Sequence, residues 1–245
     1  MDWRISSDQY ASRNDGSNSV ETLDAVTRHR GERASSLRLR IKRAIDVAGA
    51  AVLLLIVTPV LIMMILAVKA DGGPAFFAHA RIGRKGREFS CLKIRTMRID
   101  ADRALKDLLE RDASARAEWH TARKLRKDPR VTRIGSVLRS TSLDELPQLI
   151  NVLRGDMSLV GPRPVVREEL EDHYRPLGGA TAYLSMRPGL TGPWQISGRR
   201  YSADSADRYE RRVALDKDYA ENMSIWGDIV IIFRTVLAVI RSEGC

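Results

Sequence analysis

Residues 47–68 read VAGAAVLLLIVTPVLIMMILAV, 22 positions without a charge. As a straight helix this run reaches roughly 33 Å, enough to cross a bilayer, so a single crossing is the default reading. Two features oppose it. Pro59 falls near the middle, where proline removes a backbone hydrogen bond and crowds the preceding turn. Thr58 beside it offers a hydroxyl that can re-satisfy a freed carbonyl. Both flanks are also basic, with Arg38, Arg40, Lys42 and Arg43 upstream and Lys69, Arg81, Arg84, Lys85 and Arg87 downstream. Lysine and arginine mark the cytoplasmic side of a membrane. A helix broken at Thr58-Pro59 that enters and returns satisfies both flanks, each arm being only about 15–18 Å long. From the residues alone the re-entrant helix is favoured and the spanning one stays open.

Working outward, residues 1–36 are polar and lack a sustained period, which predicts a disordered tail. Residues 37–69 combine the basic flank with the apolar helix, and residues 70–245 form a cytoplasmic domain. Between positions 28 and 43 lie seven Arg or Lys against one acid, Glu32. The net charge of +10 favours nucleic acid, anionic lipid or a phosphorylated substrate, and does not choose among them. Two cysteines, Cys91 and Cys245, make no disulfide framework, and four scattered histidines make no zinc site.

The domain reads as α+β and mostly helical. Residues 74–97 predict a β-hairpin turning near Gly83 and Gly86, with Phe76, Phe77, Phe89, Leu92 and Ile94 as its apolar positions. A charged helix is expected over 101–126, where Leu105, Leu108 and Leu109 recur at helical spacing, and another over 144–153 ending at Gly155. Further helices are expected near 165–174 and over 204–219. Residues 225–240, IWGDIVIIFRTVLAVI, carry Asp228 and Arg234 and are too short to span. They read equally as an amphipathic interfacial helix or a buried core helix.

Chemistry concentrates in RSTSLDELPQLIN, residues 139–151. Pro147 fits a first helical turn, which puts Asp144 near the N-cap and Glu145 at the first helical position. There the helix dipole and unpaired N–H groups favour ionised carboxylates, though acids at helix starts are usually only caps. Cations surround the pair: Lys124, Arg126, Lys127, Arg130, Arg133 and Arg139 before it, Arg163 in a stiff Pro-Arg-Pro turn after it, and Lys93 and Arg95 on the hairpin. Carboxylates beside fixed cations next to a membrane point to phosphoryl chemistry with a divalent metal. The Gly- and Pro-rich loop from Arg187 to Arg199 suits closure on a nucleotide, with Trp194 as a planar face. No P-loop, G-x-S-x-G, H-E-x-x-H or Rossmann pattern occurs.

Taken in order, KRAID (42–46), KIRTM (93–97), DPRVTRIG (128–135), SLDELPQ (142–148), GDMSLVGPRP (155–164) and RPGLTG (187–192) resemble the bacterial sugar transferase family, small monotopic phosphoglycosyl transferases. The resemblance covers residues 38–242. It implies transfer of a sugar-1-phosphate, with galactose or glucose the usual sugars, from a UDP-sugar donor to undecaprenyl phosphate. UMP is released, and the step begins exopolysaccharide assembly. The family's catalytic Asp-Glu pair falls on Asp144, the nucleophile that forms a covalent phosphosugar intermediate, and on Glu145, which helps hold Mg²⁺. Its substrate-binding positions fall on Lys93, Arg95, Arg139 and Arg163, with Arg187 and Arg199 at the ends of the Gly/Pro loop. The family's membrane helix is re-entrant and broken at a Ser-Pro dipeptide, replaced here by Thr58-Pro59. Pro193 stands where a bulky or aromatic residue is expected, in a loop that bears on sugar choice. The implied location is the cytoplasmic face of the bacterial inner membrane, among membrane lipid; a homo-oligomer is left open. A catalytically silent basic membrane adaptor is the alternative, and it would have an altered Asp-Glu pair or no Pro-Arg-Pro. Nucleic acid is excluded as a partner, because the basic run at 28–43 holds no interleaved aromatic.

Overall fold

The computed structural model describes residues 15–70, 72–122, 125, 128–197 and 205–240. Arg199 and the basic residues Lys124, Arg126 and Lys127 lie outside them. The chain divides between Ile45 and Asp46. A single helix, α1 (Asp15–Lys69), contributes to both units. It starts inside the stretch that composition reads as a tail; a helix already nucleated lengthens at little cost per residue. In the first unit Leu37, Ile41 and Ile45 recur every four residues as an exposed apolar stripe beside Arg38 and Arg40.

From Asp46 onward α1 has one buried stripe. Ala50, Leu61, Met64 and Val68 are buried, and Leu54 and Val57 are partly buried between them. These six positions alternate steps of four and three, the period that keeps one side of a helix against a flat partner. The partners are Leu159 and its neighbours at one end and Ile94 and Leu138 at the other. The remaining faces stay apolar and exposed, Leu55 at 77% and Ile56 at 65% among them. By length and composition this is the one helix among the described residues able to cross a membrane.

Pro59 does not end α1, in contrast to the break expected there. Thr58 Oγ1 donates to the Leu54 carbonyl at 2.6 Å. The carbonyl that Pro59 deprives of its usual donor belongs to Leu55, so the threonine supports the preceding turn rather than the freed group.

Asp46 ties α1 to the domain. Its buried carboxylate accepts from Ser158 Oγ at 2.6 Å and from the Leu159 amide at 3.1 Å. One turn on, a Cβ at Gly49 would come within 2.8 Å of the Leu159 side chain, so the helix lies close against that strand.

Strands β1 (Phe76–Ile82) and β2 (Glu88–Ile94) form the expected antiparallel hairpin, with Phe77 opposite Lys93, His79 opposite Cys91 and Arg81 opposite Phe89. Its turn holds Lys85 and Gly86 at positive φ. Phe76 and Phe77 are exposed, whereas Ile94 is buried. The helix expected over 101–126 is two helices, α2 (Ala101–Arg111) and α3 (Ala113–Ala122). Asp112 separates them in extended conformation. Its carboxylate accepts from the Ser114 and Ala115 amides at 2.8 and 3.0 Å, which caps α3 and holds the carboxyl below its usual value.

Helix α4 (Arg133–Ser140) is capped by Thr132 and approaches Thr96 so closely that a Cβ at Gly135 would lie 2.0 Å from the Thr96 carbonyl. Next come a 3₁₀ turn (Leu143–Glu145) and α5 (Gln148–Arg154), which ends at Gly155 in the left-handed region. A short strand β3 (Ser158–Val160) pairs in parallel with β4 (Gly189–Thr191). The sequence analysis did not anticipate this sheet, because three-residue strands carry no readable period. Between them lie α6 (Arg167–Glu169), continuing into a π turn (Leu170–Tyr174), and α7 (Ala180–Ser185). The chain closes with α8 (Pro193–Ile196), α9 (Ser205–Asn222) and α10 (Ile225–Ile240). The class is α+β and mostly helical, as expected. Helix α10 buries only a narrow stripe through Asp228 and Ile231, while Trp226, Ile229, Phe233 and Val236 are exposed. That pattern fits an amphipathic helix with an apolar outer face and not a core helix.

Replacing Asp46 by Ala removes the acceptor for two donors, one of them a buried amide. The expected loss is about 3 kcal/mol of stability, read by denaturant unfolding in detergent, with Asp46→Asn losing less. A loss under about 1 kcal/mol would contradict the anchoring role.

Candidate active site

Asp144 and Glu145 stand on the 3₁₀ turn that precedes α5, not at the start of the helix itself. The expected positions at the N-cap and first helical residue are therefore displaced, and Pro147 occupies the N-cap. The Leu146 amide donates to the Leu143 carbonyl at 3.3 Å and the Glu145 amide to that of Ser142 at 3.2 Å, giving the tighter i→i+3 bonds of a 3₁₀ turn. Ser142 begins the turn at φ 57°.

Asn151 fixes this segment against the hairpin. Fully buried, it accepts from the Leu92 amide at 2.9 Å through Oδ1 and donates to the Ser90 carbonyl at 2.8 Å through Nδ2. Its carboxamide thus does for the edge of β2 what a neighbouring strand would do. The residue after Leu92 is Lys93, whose Nζ donates to Glu145 Oε1 at 2.6 Å.

Asp144 is 8% exposed. Burial pushes its carboxyl above the ordinary aspartate value, and the neighbouring Glu145 charge adds to this, while Lys93 and Arg139 pull the other way. The net direction is upward, opposite to the lowering expected of a carboxylate at a helix start. Arg139 is oriented by a 2.8 Å bond from Nε to Thr96 Oγ1.

An open cleft adjoins Glu145. Arg81, Lys93 and Arg163 line it together with Glu145, and Cys91, Gln148, Leu190 and Gln195 complete the wall. Three cations gathered on one cleft favour a phosphorylated ligand. Arg163 stands on a rigid frame: the Gly161 amide donates to the Thr191 carbonyl at 2.9 Å, the Gly189 amide to Pro162's at 2.8 Å, and the Ile82 amide to Val165's at 2.9 Å. The backbones meet so tightly that a Cβ at Gly189 would lie 2.1 Å from the Gly161 nitrogen.

Of the residues singled out in the sequence, Lys93, Glu145 and Arg163 come together at the cleft, with Asp144 buried beside them and Arg139 within electrostatic reach. Two others hold backbone. Arg95 donates to the carbonyls of Pro74, Met97 and Val68 at 2.6, 2.9 and 3.1 Å, and Arg187 to that of Gly155 at 2.8 Å. Two further residues of the site, Arg81 on the cleft wall and the Asn151 clamp, did not stand out in the sequence. Strand alternation places Arg81 on the same side as Phe77, and hence as Lys93 opposite it, so the hairpin register was the available signal. Among the described residues no group of three or more His, Cys, Asp or Glu could cage a metal.

A sequence profile described as "Bacterial sugar transferase" matches residues 37–242. Over 204 residues, 83% of the chain, the protein is 48% identical to the exopolysaccharide production protein ExoY of Rhizobium meliloti, and the match covers 87% of that protein. It is 47% identical to the undecaprenyl-phosphate galactose phosphotransferase of Salmonella typhimurium, again over 83% of the chain but only 41% of that relative. Identity to a UDP-glucose:undecaprenyl-phosphate glucose-1-phosphate transferase of Caulobacter vibrioides is 39%, over 83% of the chain and 71% of the relative. The chain thus spans about two fifths of the length of the Salmonella protein and of a similar Haemophilus influenzae relative.

Because the Lys93 charge favours ionised Asp144, Lys93→Met is expected to raise the Asp144 pKa further, followed by carboxyl-carbon NMR of the labelled protein. An unchanged or lowered value would contradict the electrostatic arrangement.

Proposed function

The chain belongs to the bacterial sugar transferase family, and from that membership we propose that it moves a hexose-1-phosphate, galactose or glucose being the sugar, from a UDP-sugar to undecaprenyl phosphate with release of UMP. The reaction is the first membrane step of exopolysaccharide assembly. The observation that carries this reading is the cleft itself, where Lys93, Arg81 and Arg163 converge beside Glu145, half-buried, and its buried neighbour Asp144.

The chemistry divides into two displacements. An Asp144 carboxylate oxygen attacks the sugar-bearing phosphorus of the donor. As that P–O bond forms, the bond to the UMP oxygen breaks and UMP leaves. A phosphate oxygen of the lipid then attacks the same phosphorus, the acyl phosphate breaks, and Asp144 returns as carboxylate with the sugar on a lipid diphosphate. Lys93 and Arg139 oppose the rise in the Asp144 pKa and so keep more of it ionised for attack. Lys93 and Arg163 bind and orient the phosphates. Magnesium ordinarily takes one or two carboxylates and completes its shell from substrate phosphates and water, so the absence of a protein-only cage among the described residues is compatible with it. Glu145 is the residue that would hold Mg²⁺, which when bound supplies neutralisation of charge on the leaving group.

Membrane attachment from one side is the accompanying proposal. The buried stripe of α1 runs from Ala50 to Val68, about 27 Å of helix. A helix crossing perpendicular to the bilayer would drag Ile94, Leu138 and the reacting turn into the hydrocarbon with it. A helix that dips from the cytoplasmic face, or lies within the interface, avoids this and lets its apolar outer face and that of α10 meet lipid. The bacterial inner membrane is the corresponding location.

The test needs no acceptor. Purified protein given Mg²⁺ and a panel of UDP-sugars is expected to gain the mass of one hexose phosphate and release one equivalent of UMP. Asp144→Asn is expected to abolish the adduct and lower kcat by at least about 10³-fold. A wild-type protein that forms no adduct with any donor, yet releases UMP once undecaprenyl phosphate is added, would replace the covalent route by direct transfer.

A further inference from the structure

Arg81 reaches the cleft wall from β1. Only its Nη1 has a partner among the described residues: the Pro164 carbonyl at 3.4 Å and Glu169 Oε2 at 3.5 Å. Nε and Nη2 remain for a ligand. Glu169 is in turn held from three sides. The Tyr209 hydroxyl donates to Oε1 at 2.8 Å, the Val166 amide to Oε2 at 3.2 Å, and Arg212 Nη1 lies 3.6 Å from Oε1. Burial alone would push the Glu169 carboxyl up, but Arg212 and these hydrogen bonds outweigh it and hold the group below its usual value. The carboxylate is therefore a fixed anion shared between two arginines. It cannot fully neutralise either, and Arg81 keeps positive charge toward the cleft. Arg212 also donates to the Arg163 carbonyl at 3.1 Å, so the same assembly steadies the Pro-Arg-Pro turn.

We propose that Arg81 is a further phosphate-binding residue of the cleft and that Glu169 is its positioning residue, a proposal that rests on the sugar-phosphate transfer reading above. The ligand chemistry is a phosphate oxyanion met by a guanidinium whose direction is set from behind. Two sources carry such a group, the donor diphosphate and the lipid monophosphate, and ping-pong kinetics reports on them separately.

The experiment uses the full chain in detergent, with UDP-galactose or UDP-glucose as donor and undecaprenyl phosphate as acceptor. Arg81→Met is expected to raise one of the two KM values at least about tenfold while kcat changes less, and Arg81→Lys is expected to recover part of the loss. A raised donor KM assigns Arg81 to the diphosphate; a raised acceptor KM assigns it to the lipid phosphate. Glu169→Gln should raise the same KM by about threefold or more, and should add less than about twofold when Arg81 is already Met. If Arg81→Met does not fold, Arg81→Lys and Glu169→Gln carry the test through the same KM. Both KM values within twofold of wild type in folded variants would overturn the proposal, as would independent, multiplicative effects of the two substitutions. Wild-type protein that releases no UMP from either donor, with or without acceptor, would overturn the underlying reading and this proposal with it.

Discussion

The Asn151 carboxamide is the contact on which the site depends. It closes the open edge of β2 with one accepted and one donated hydrogen bond to the backbone, at Leu92 and Ser90. A buried strand edge without such a partner would leave an amide and a carbonyl desolvated, a cost of a few kcal/mol. The same side chain sits on α5, six residues beyond Glu145. Satisfying the strand therefore fixes the helix, the helix fixes the 3₁₀ turn before it, and Lys93 meets Glu145 as a consequence. The backbone carbonyl of Asn151 also receives the Gly155, Asp156 and Met157 amides, so the chain turns there toward β3 and the Pro-Arg-Pro frame.

Buried charge recurs through the domain, and each instance is handled differently. Asp46 is matched by a hydroxyl and an amide and serves as an anchor. Asp216 accepts from the Tyr174 hydroxyl at 2.6 Å yet is pushed up to about 6 by burial. Glu169 lies among enough cations and donors to stay ionised. Asp144 is raised by burial and by Glu145 and opposed by Lys93 and Arg139. A carboxylate held in that balance is less solvated than one at the surface, and in the proposed reaction the cations that offset its burial also meet the phosphate it attacks.

Much of this was legible in the sequence because it follows local rules. The hairpin, the helix over 225–240 and the α+β class came from periodicity and turn residues, and the Asp-Glu pair stood out by its cationic surroundings. What was not legible depends on partners distant along the chain. Arg95 and Arg187 read as phosphate ligands in the sequence, and the bonds they make to the carbonyls of Val68 and Gly155 come from residues far along the chain. Arg81 looked like a membrane flank and is a cleft residue. The Asp112 break and the turn before α5 were missed for a smaller reason: a side-chain cap and a few i→i+3 bonds interrupt helical periodicity over only one or two residues.

Helix α1 underlies these parts, since its buried stripe packs against the hairpin, α4 and β3 while its other faces stay apolar. In the proposed reaction one carboxylate, Asp144, stands between donor and acceptor. The stereochemistry at phosphorus tests this most directly. A UDP-sugar carrying a single sulfur diastereomer at the sugar-bearing phosphorus should give a lipid product of retained configuration, because two in-line displacements each invert it. Inversion would mean one displacement, with the lipid phosphate attacking the donor directly and Asp144 in some other role.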